Sequence, residues 1–235
     1  MNAFPMKQAG ALIGQCMPEF SDIIRFNEMM QRKPGNADHL LLQGNLLHEE
    51  GLELLGSEIA SDRETVDALC DIAVVAVGYL FLGEVDNAIQ DGSDVDLALI
   101  RKGSIFNSCA NCYGDAFAYV VEPDSQDTPF FTASLVHAKE ALWGVAAYCA
   151  IHGIDLKKHL QEVNKSNFSK FCLQHEYFPT VDKYNRIGVS VDMRMLEGDL
   201  YACYVLSSVT GTDGKFYPAG KLLKSIGFKE PSFDL

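Results

Sequence analysis

Residues 46–83, LLHEEGLELLGSEIASDRETVDALCDIAVVAVGYLFLG, constrain this chain most, because they read as two helices joined by a tight turn. The first helix carries Glu49, Glu50 and Glu53, the second Asp67 and Asp71. Ser61-Asp62-Arg63-Glu64 matches the capping-box pattern, in which a Ser oxygen and a Glu three residues on satisfy the free N–H groups of a helix start. In an antiparallel hairpin counted outward from Ser61, Glu53 lies eight residues before the turn and Asp67 six after it; Glu50 lies eleven before and Asp71 ten after. At about 1.5 Å per residue, each pair falls within roughly 3 Å of the same height. Glu50/Glu53 (i, i+3) and Asp67/Asp71 (i, i+4) each share a helix face. Four carboxylates can therefore converge on one point, and like charges that close need a cation to coexist.

Acids at such spacing are more often a solvated face. Three features weigh against that here. Past its first turn the second helix is almost wholly apolar except for its two aspartates, which places them in a buried or cleft-facing position. No Lys stands at i+4 from Glu49, Glu50 or Glu53 to form surface ion pairs. The heights across the hairpin also match.

Composition narrows the classes. A chain of 235 residues, 48% hydrophobic and 22% charged, suits one large or two small folded domains. A net charge of −13 excludes a general nucleic-acid polymer binder, which needs a basic face, but leaves a nucleotide ligand open, since a metal can mediate phosphate contact. Seven cysteines, an odd number with no small-scaffold framework, point to a reducing, intracellular setting. Cys109-Ala-Asn-Cys112 is a lone CxxC without the two further ligands zinc would need. The N-terminus is a poor signal peptide, and the longest apolar run, residues 72–83, is too short to span a membrane. The expectation is a cytoplasmic protein with no membrane partner.

Along the chain, residues 18–30 carry apolar side chains near helical spacing and should stop at Lys33-Pro34-Gly35-Asn36. The first hairpin helix is expected to start after Asn36 or Asp38. Residues 95–121 read either as a helix broken at Gly103 or as a helix followed by a strand at 116–121. Residues 123–129 read as a loop, and 133–152 as a helix ended by Gly153. Asp155 should cap a shorter helix through Leu156, Leu160 and Val163. Beyond Lys170 the pattern turns strand-like at 186–192 and 200–209, with a turn at Thr212-Asp213-Gly214-Lys215.

The ExxE of Glu50 and Glu53, followed on a second helix by DALCDIAVVAVG (67–78), resembles the MazG-type all-α nucleoside triphosphate pyrophosphohydrolases. The likeness resumes at HGIDLKKHLQEVNKSNFSK (152–170), and again at TDGKFYPAGK (212–221) with the terminal PSFDL. These blocks cover about half the chain. Two departures stand out. Many members have ExxD just before the apolar run; if Asp71 is that aspartate, Ala68 occupies the glutamate position and Asp67 stands in. A literal ExxD occurs one turn earlier, at Glu64 and Asp67, so both registers stay open.

The resemblance implies an all-α helical bundle of the NTP pyrophosphatase type with a small, irregular, β-containing C-terminal extension. It implies a single domain over 1–235, with insertions at 84–132 and 171–211. The activity implied is Mg²⁺-dependent hydrolysis of a (deoxy)nucleoside triphosphate to the monophosphate and pyrophosphate, with Mn²⁺ a possible substitute. Mg²⁺ takes carboxylate and phosphate oxygens, which agrees with the acids. Glu50, Glu53, Asp67 and Asp71 are the expected metal ligands, and Glu49 an auxiliary that supports them or orients the water; Glu49, Glu50 and Glu53 form the catalytic set. By resemblance Asn167 and Lys170 contact phosphate or base, with Lys215 a second cation. The family also implies a homodimer or higher oligomer, although residues 95–121 and 133–152 could supply the partner helices in cis. The alternative is a helical interaction protein that has lost the chemistry, for which Ala68 is the best support. A di-metal oxygenase would want Glu-x-x-His pairs on two helices, and none occurs among the hairpin acids.

Overall fold

The computed structural model describes residues 3–58, 62–85, 88–93, 95, 100–121 and 129–233. The chain packs as two compact units, Met1–Gln161 with Phe233–Leu235, and Glu162–Ser232. The first is helical: α1 (Ala3–Met29), α2 (Ala37–Gly56), α3 (Arg63–Leu82), α4 (Lys102–Val121) and α5 (Pro129–His152). The helix α6 (Leu156–Phe168) contributes to both units.

The helices α2, α3, α5 and α4 pack in that cyclic order, and α1 lies on α3 and α5. Neighbours in the ring run antiparallel. Ser57 at the end of α2 bonds Thr65 at the start of α3, Tyr79 of α3 bonds Ser134 of α5, and Asp115 of α4 meets His137 of α5. The segment 84–132 is thus no appendage, because α4 closes the ring from the same chain. It does so through small residues. A Cβ on Gly44 would stand 3.3 Å from that of Ala116, and one on Gly51 3.0 Å from that of Cys109, so glycine lets the two backbones approach. Cys109 and Cys112 are both fully buried in this seam.

Three local outcomes in the helical unit differ from expectation. The helix α1 starts fifteen residues before Pro18 and runs through it. Its stripe of Ala9, Ile13, Cys16, Phe20, Ile23 and Phe26 is buried at spacings of three and four. Burying each large apolar side chain contributes about 1.5–3 kcal/mol, which together outweighs the ~3 kcal/mol of an internal proline. The helix α4 begins at Lys102, which places Gly103 in its first turn, and it runs unbroken to Val121 with no strand at its end. Its stripe Ile105, Cys109, Cys112, Ala116 has helical period. The helix α3 begins with Asp62 as N-cap, its carboxylate accepting from Thr65 N at 2.8 Å; the expected cap, Ser61, lies outside the described residues. As expected, Asn36 caps α2, Gly153 follows α5 at φ +69° and Asp155 accepts from Lys158 N. The strand expected at 186–192 starts only at Val191, after a turn at 186–188, and the loop expected at 123–129 lies outside the described residues except for Pro129, which opens α5.

By length and composition α3 could cross a membrane, yet 78% of its most apolar window is buried inside the bundle. It is the core helix of the first unit.

In the second unit β3 (Leu200–Val205) is the central strand. It pairs antiparallel with β2 (Val191–Met195) on one edge, and with β1 (Cys172–Leu173) and β6 (Leu222–Leu223) on the other. The helix α7 (Tyr177–Asn185), which the sequence pattern did not suggest, lies against this sheet. The core is Cys172, Tyr184, Val189, Cys203, Val205 and Leu223. A separate hairpin of β4 (Val209–Thr210) and β5 (Phe216–Tyr217) closes over the expected turn, with Gly214 at φ +79°.

Lys102 ties the turn of the α2–α3 hairpin to α4. Its ammonium donates to Ser57 O (2.9 Å), Ser57 Oγ (2.7 Å) and Thr65 Oγ1 (2.8 Å), and its burial lowers its pKa. Lys102→Met should cost about 1–3 kcal/mol, because it leaves those acceptors without their charged donor. Urea unfolding checks this: the midpoint should fall with an unchanged slope.

Candidate functional site

The positions of α3 that are not buried identify the site. Every residue from Thr65 to Leu82 is buried except Asp67, Asp71 and Val74. At 100° per residue these three and Gly78 fall on one narrow stripe. Asp67, Asp71 and Val74 are half-buried on that stripe, and Gly78 lies buried beneath Gln43 and Asn27.

Two fixed points set the register of α2 against it. At one end Ser57 and Thr65 share a 2.9 Å hydrogen bond. At the other, Gln43 Nε2 donates to Val75 O at 3.2 Å and lies over Gly78, where an added Cβ would stand 2.7 Å from it. Both lie nearly equidistant in sequence from residue 61. Between them the same register sets Glu53 opposite Asp67 and Glu50 opposite Asp71.

Electrostatics report the same proximity. The carboxyl of half-buried Glu50 is pushed up to about 8, first by its own desolvation and then by the charges of Asp71, Glu53, Asp67 and Glu49. Desolvation and like-charge repulsion both favour the protonated form. The charges of the other four acids are thus all felt at Glu50. Glu49 and Glu53 are exposed, and Glu49 accepts from Asn45 Nδ2 at 2.8 Å. Among the described residues no group of three or more His, Cys, Asp or Glu side chains is placed to hold a metal ion. Ala68 is buried, off the stripe, so Asp67 and Asp71 are the pair that α3 presents. Glu64 is exposed in the first turn.

Asn167, Lys170 and Lys215 belong to the second unit. Asn167 is buried at the end of α6 and accepts from Lys170 Nζ at 2.6 Å. Lys215 is exposed in the β4–β5 turn, its N–H donating to Asp213 Oδ1. His48 turns to α4, its ring stacked on Tyr113 at 5.5 Å. Trp143 is core, with Nε1 bonded to Ile89 O.

Sequence reasoning missed the open end of the hairpin. There Arg32, in the connection between α1 and α2, donates from Nη1 to Asn27 Oδ1 at 2.8 Å and to Gln43 Oε1. The signal was present: Gln43 precedes Glu50, and Gly78 follows Asp71, by seven residues, two turns on the same faces. Compared with protein-family models, curated proteins and solved structures, the chain matches none.

The raised Glu50 has a thermodynamic consequence. The folded state holds this proton more tightly than the unfolded one, whose carboxyl titrates near 4.5. Between there and about pH 8 stability falls as pH rises. In chelator-treated protein the melting temperature should drop from pH 5 to pH 8.5, and Glu50→Gln should flatten that slope and melt above wild type at the alkaline end. A slope unchanged by the substitution would remove Glu50 from the centre of the cluster.

Proposed function

We propose that the protein is a Mg²⁺-dependent pyrophosphohydrolase that cleaves the α–β anhydride bond of a (deoxy)nucleoside triphosphate, releasing the monophosphate and pyrophosphate. The observation that carries the reading is Glu50, a half-buried carboxyl surrounded by four others from two helices at matching heights. The donor chemistry suits the ion: the set is all carboxylate oxygen, which hard cations prefer, and its crowded charge is what a divalent cation relieves. Glu50, Glu53, Asp67 and Asp71 would hold it. When bound, Mg²⁺ supplies charge neutralisation on the phosphate chain and activation of a water.

The chain's own residues do the rest. Glu50 gives up its proton when the site is loaded, so apparent metal affinity should rise with pH towards about 8. Glu49, exposed and steadied by Asn45, stands beside the set as the group that orients the water. The buried sides of α3 confine water to the side that carries the acids. The pairing of Asp67 with Asp71, rather than with Glu64, is the register this reading adopts. Nucleotide-pool control or removal of unwanted triphosphates is the role such an activity would serve.

A second reading, a helical interaction protein that kept the bundle and lost the chemistry, draws on Ala68 and on the lack, among the described residues, of a preformed metal-holding group. One assay separates them. Pyrophosphate release from a panel of canonical and deoxy triphosphates should require Mg²⁺, stop with chelator, and fall at least about 100-fold in Glu53→Gln and in Asp71→Asn. Undiminished turnover in both variants, or no turnover and no thermal shift with Mg²⁺ and any nucleotide, would favour the silent protein.

A further inference from the structure

The outer side of the α2–α4 seam carries a continuous row of aromatic contacts. The ring of His48 lies 5.9 Å from Phe106 and 5.5 Å from Tyr113, and Tyr113 lies 6.4 Å from Phe117. Leu41, His48, Leu52 and Leu55 share one side of α2, at steps of seven, four and three residues. Phe106, Ala110, Tyr113, Phe117 and Val121 share one side of α4, at steps of four, three, four and four. Both rows stand outside the buried stripes of their helices, Leu40, Leu47 and Leu54 on α2 and Ile105, Cys109, Cys112 and Ala116 on α4. Leu52 is 48% exposed, Leu55 and Phe117 49% and Val121 57%, so in a single chain this apolar face meets solvent.

We propose that this two-helix face is where a second copy of the chain docks. Contiguous exposed apolar surface marks an interaction site, and charge, spacing and symmetry together name the occupant. The first unit holds 24 acidic against 10 basic residues, yet the nine residues of the two rows include no Asp, Glu, Lys or Arg. A basic partner is drawn to the acids elsewhere and an acidic one is repelled, whereas two copies can meet here with their acids turned away from each other. Aromatic residues without charge are the composition of an interface centre, and the polar Asn45 and Asn107 border it. Steps of three and four residues are those of interdigitating helices, so the surface that fits is itself helical. The face is also its own complement. The helices α2 and α4 run antiparallel, Gly44 meeting Ala116 and Gly51 meeting Cys109. A two-fold axis in the plane of the face, along the helices or across them, therefore stacks each helix on an antiparallel one of the other copy. Gly114 gains a purpose as well. It is exposed in the middle of α4, where glycine is destabilising relative to alanine. A Cβ added there would meet no atom of the described residues within 4 Å, so its small size serves an approach from outside. Glu50 and Glu53 lie on the α3 side of α2, which makes this docking independent of the hydrolase reading.

Sedimentation equilibrium of the full chain in reducing buffer tests this over about a hundredfold range of concentration. At the upper end wild type should show twice the 25.9 kDa mass of the chain. Leu52→Glu and Phe117→Glu each bring like charges from both copies into the interface, and each should weaken association at least about tenfold. Leu42→Glu is the control: Leu42 is 50% exposed on the α3 side of α2, and its variant should associate as wild type does. Gly114→Cys carries the test should the glutamate variants not fold. The seven native thiols are buried, so with a short bis-maleimide this variant, and not wild type, should yield a covalent dimer. A monomer at every concentration overturns the proposal. So does a dimer that survives both glutamate variants, that Leu42→Glu dissolves as readily, or in which the Gly114→Cys variant does not cross-link.

Discussion

Helix α3 is apolar on every side but one, and the other helices of the first unit take their places from that asymmetry. Its fifteen buried residues need cover all round, which α1, α2 and α5 supply. The exception is the stripe of Asp67, Asp71 and Val74. Two aspartates cannot enter the core without large cost, so α3 keeps them half-buried, and the register of α2 sets Glu50 and Glu53 at the same heights. Polar residues mark where packing stops.

That arrangement sets stability against chemistry. Glu50 would be easier to accommodate as a glutamine or an apolar residue, since both its burial and its neighbours disfavour its charge. Crowded carboxylates in a cleft are the kind of strain that persists at functional sites and is offset elsewhere in the fold. Here the offset is visible at both ends of the hairpin. Lys102 locks Ser57 and Thr65 at the turn, and Arg32 with its two carboxamides locks α1, α2 and α3 at the other end. Between two such clamps the helices cannot separate to relieve the repulsion.

The hairpin and its acids were legible in the sequence because helical period and antiparallel register are both local arithmetic. One capping residue of error, Asp62 for Ser61, left the heights intact. The rest failed where tertiary packing overrode a local signal. Pro18 reads as a helix start, yet α1 passes through it because Ala9, Ile13 and Cys16 continue the stripe of Phe20 and Ile23. Residues 116–121 read as a strand in one alternative, yet α4 stays helical to Val121 because Ala116 and Cys109 pack on the glycines of α2. The open end of the hairpin was hidden for a different reason. Arg32 sits beside the breaker Lys33-Pro34-Gly35, and only the folded chain brings it to Asn27 and Gln43.

The distribution of charge completes the account of the site. The residues of the first unit include 10 Lys and Arg against 24 Asp and Glu, and those of the second 9 against 8. The overall −13 is therefore not an even coating for solubility; the excess lies in the bundle that holds the acidic cluster. An anionic nucleotide approaching such a unit meets a repulsive field that falls off over a Debye length of about 8 Å at physiological salt. A divalent cation already coordinated to the phosphates reduces that repulsion and is itself drawn in by the same field. On the proposed function, the acidity of the bundle would favour the metal complex of a polyphosphate over the free anion. On this reading the acids beyond the five in the cluster serve the same end as those within it.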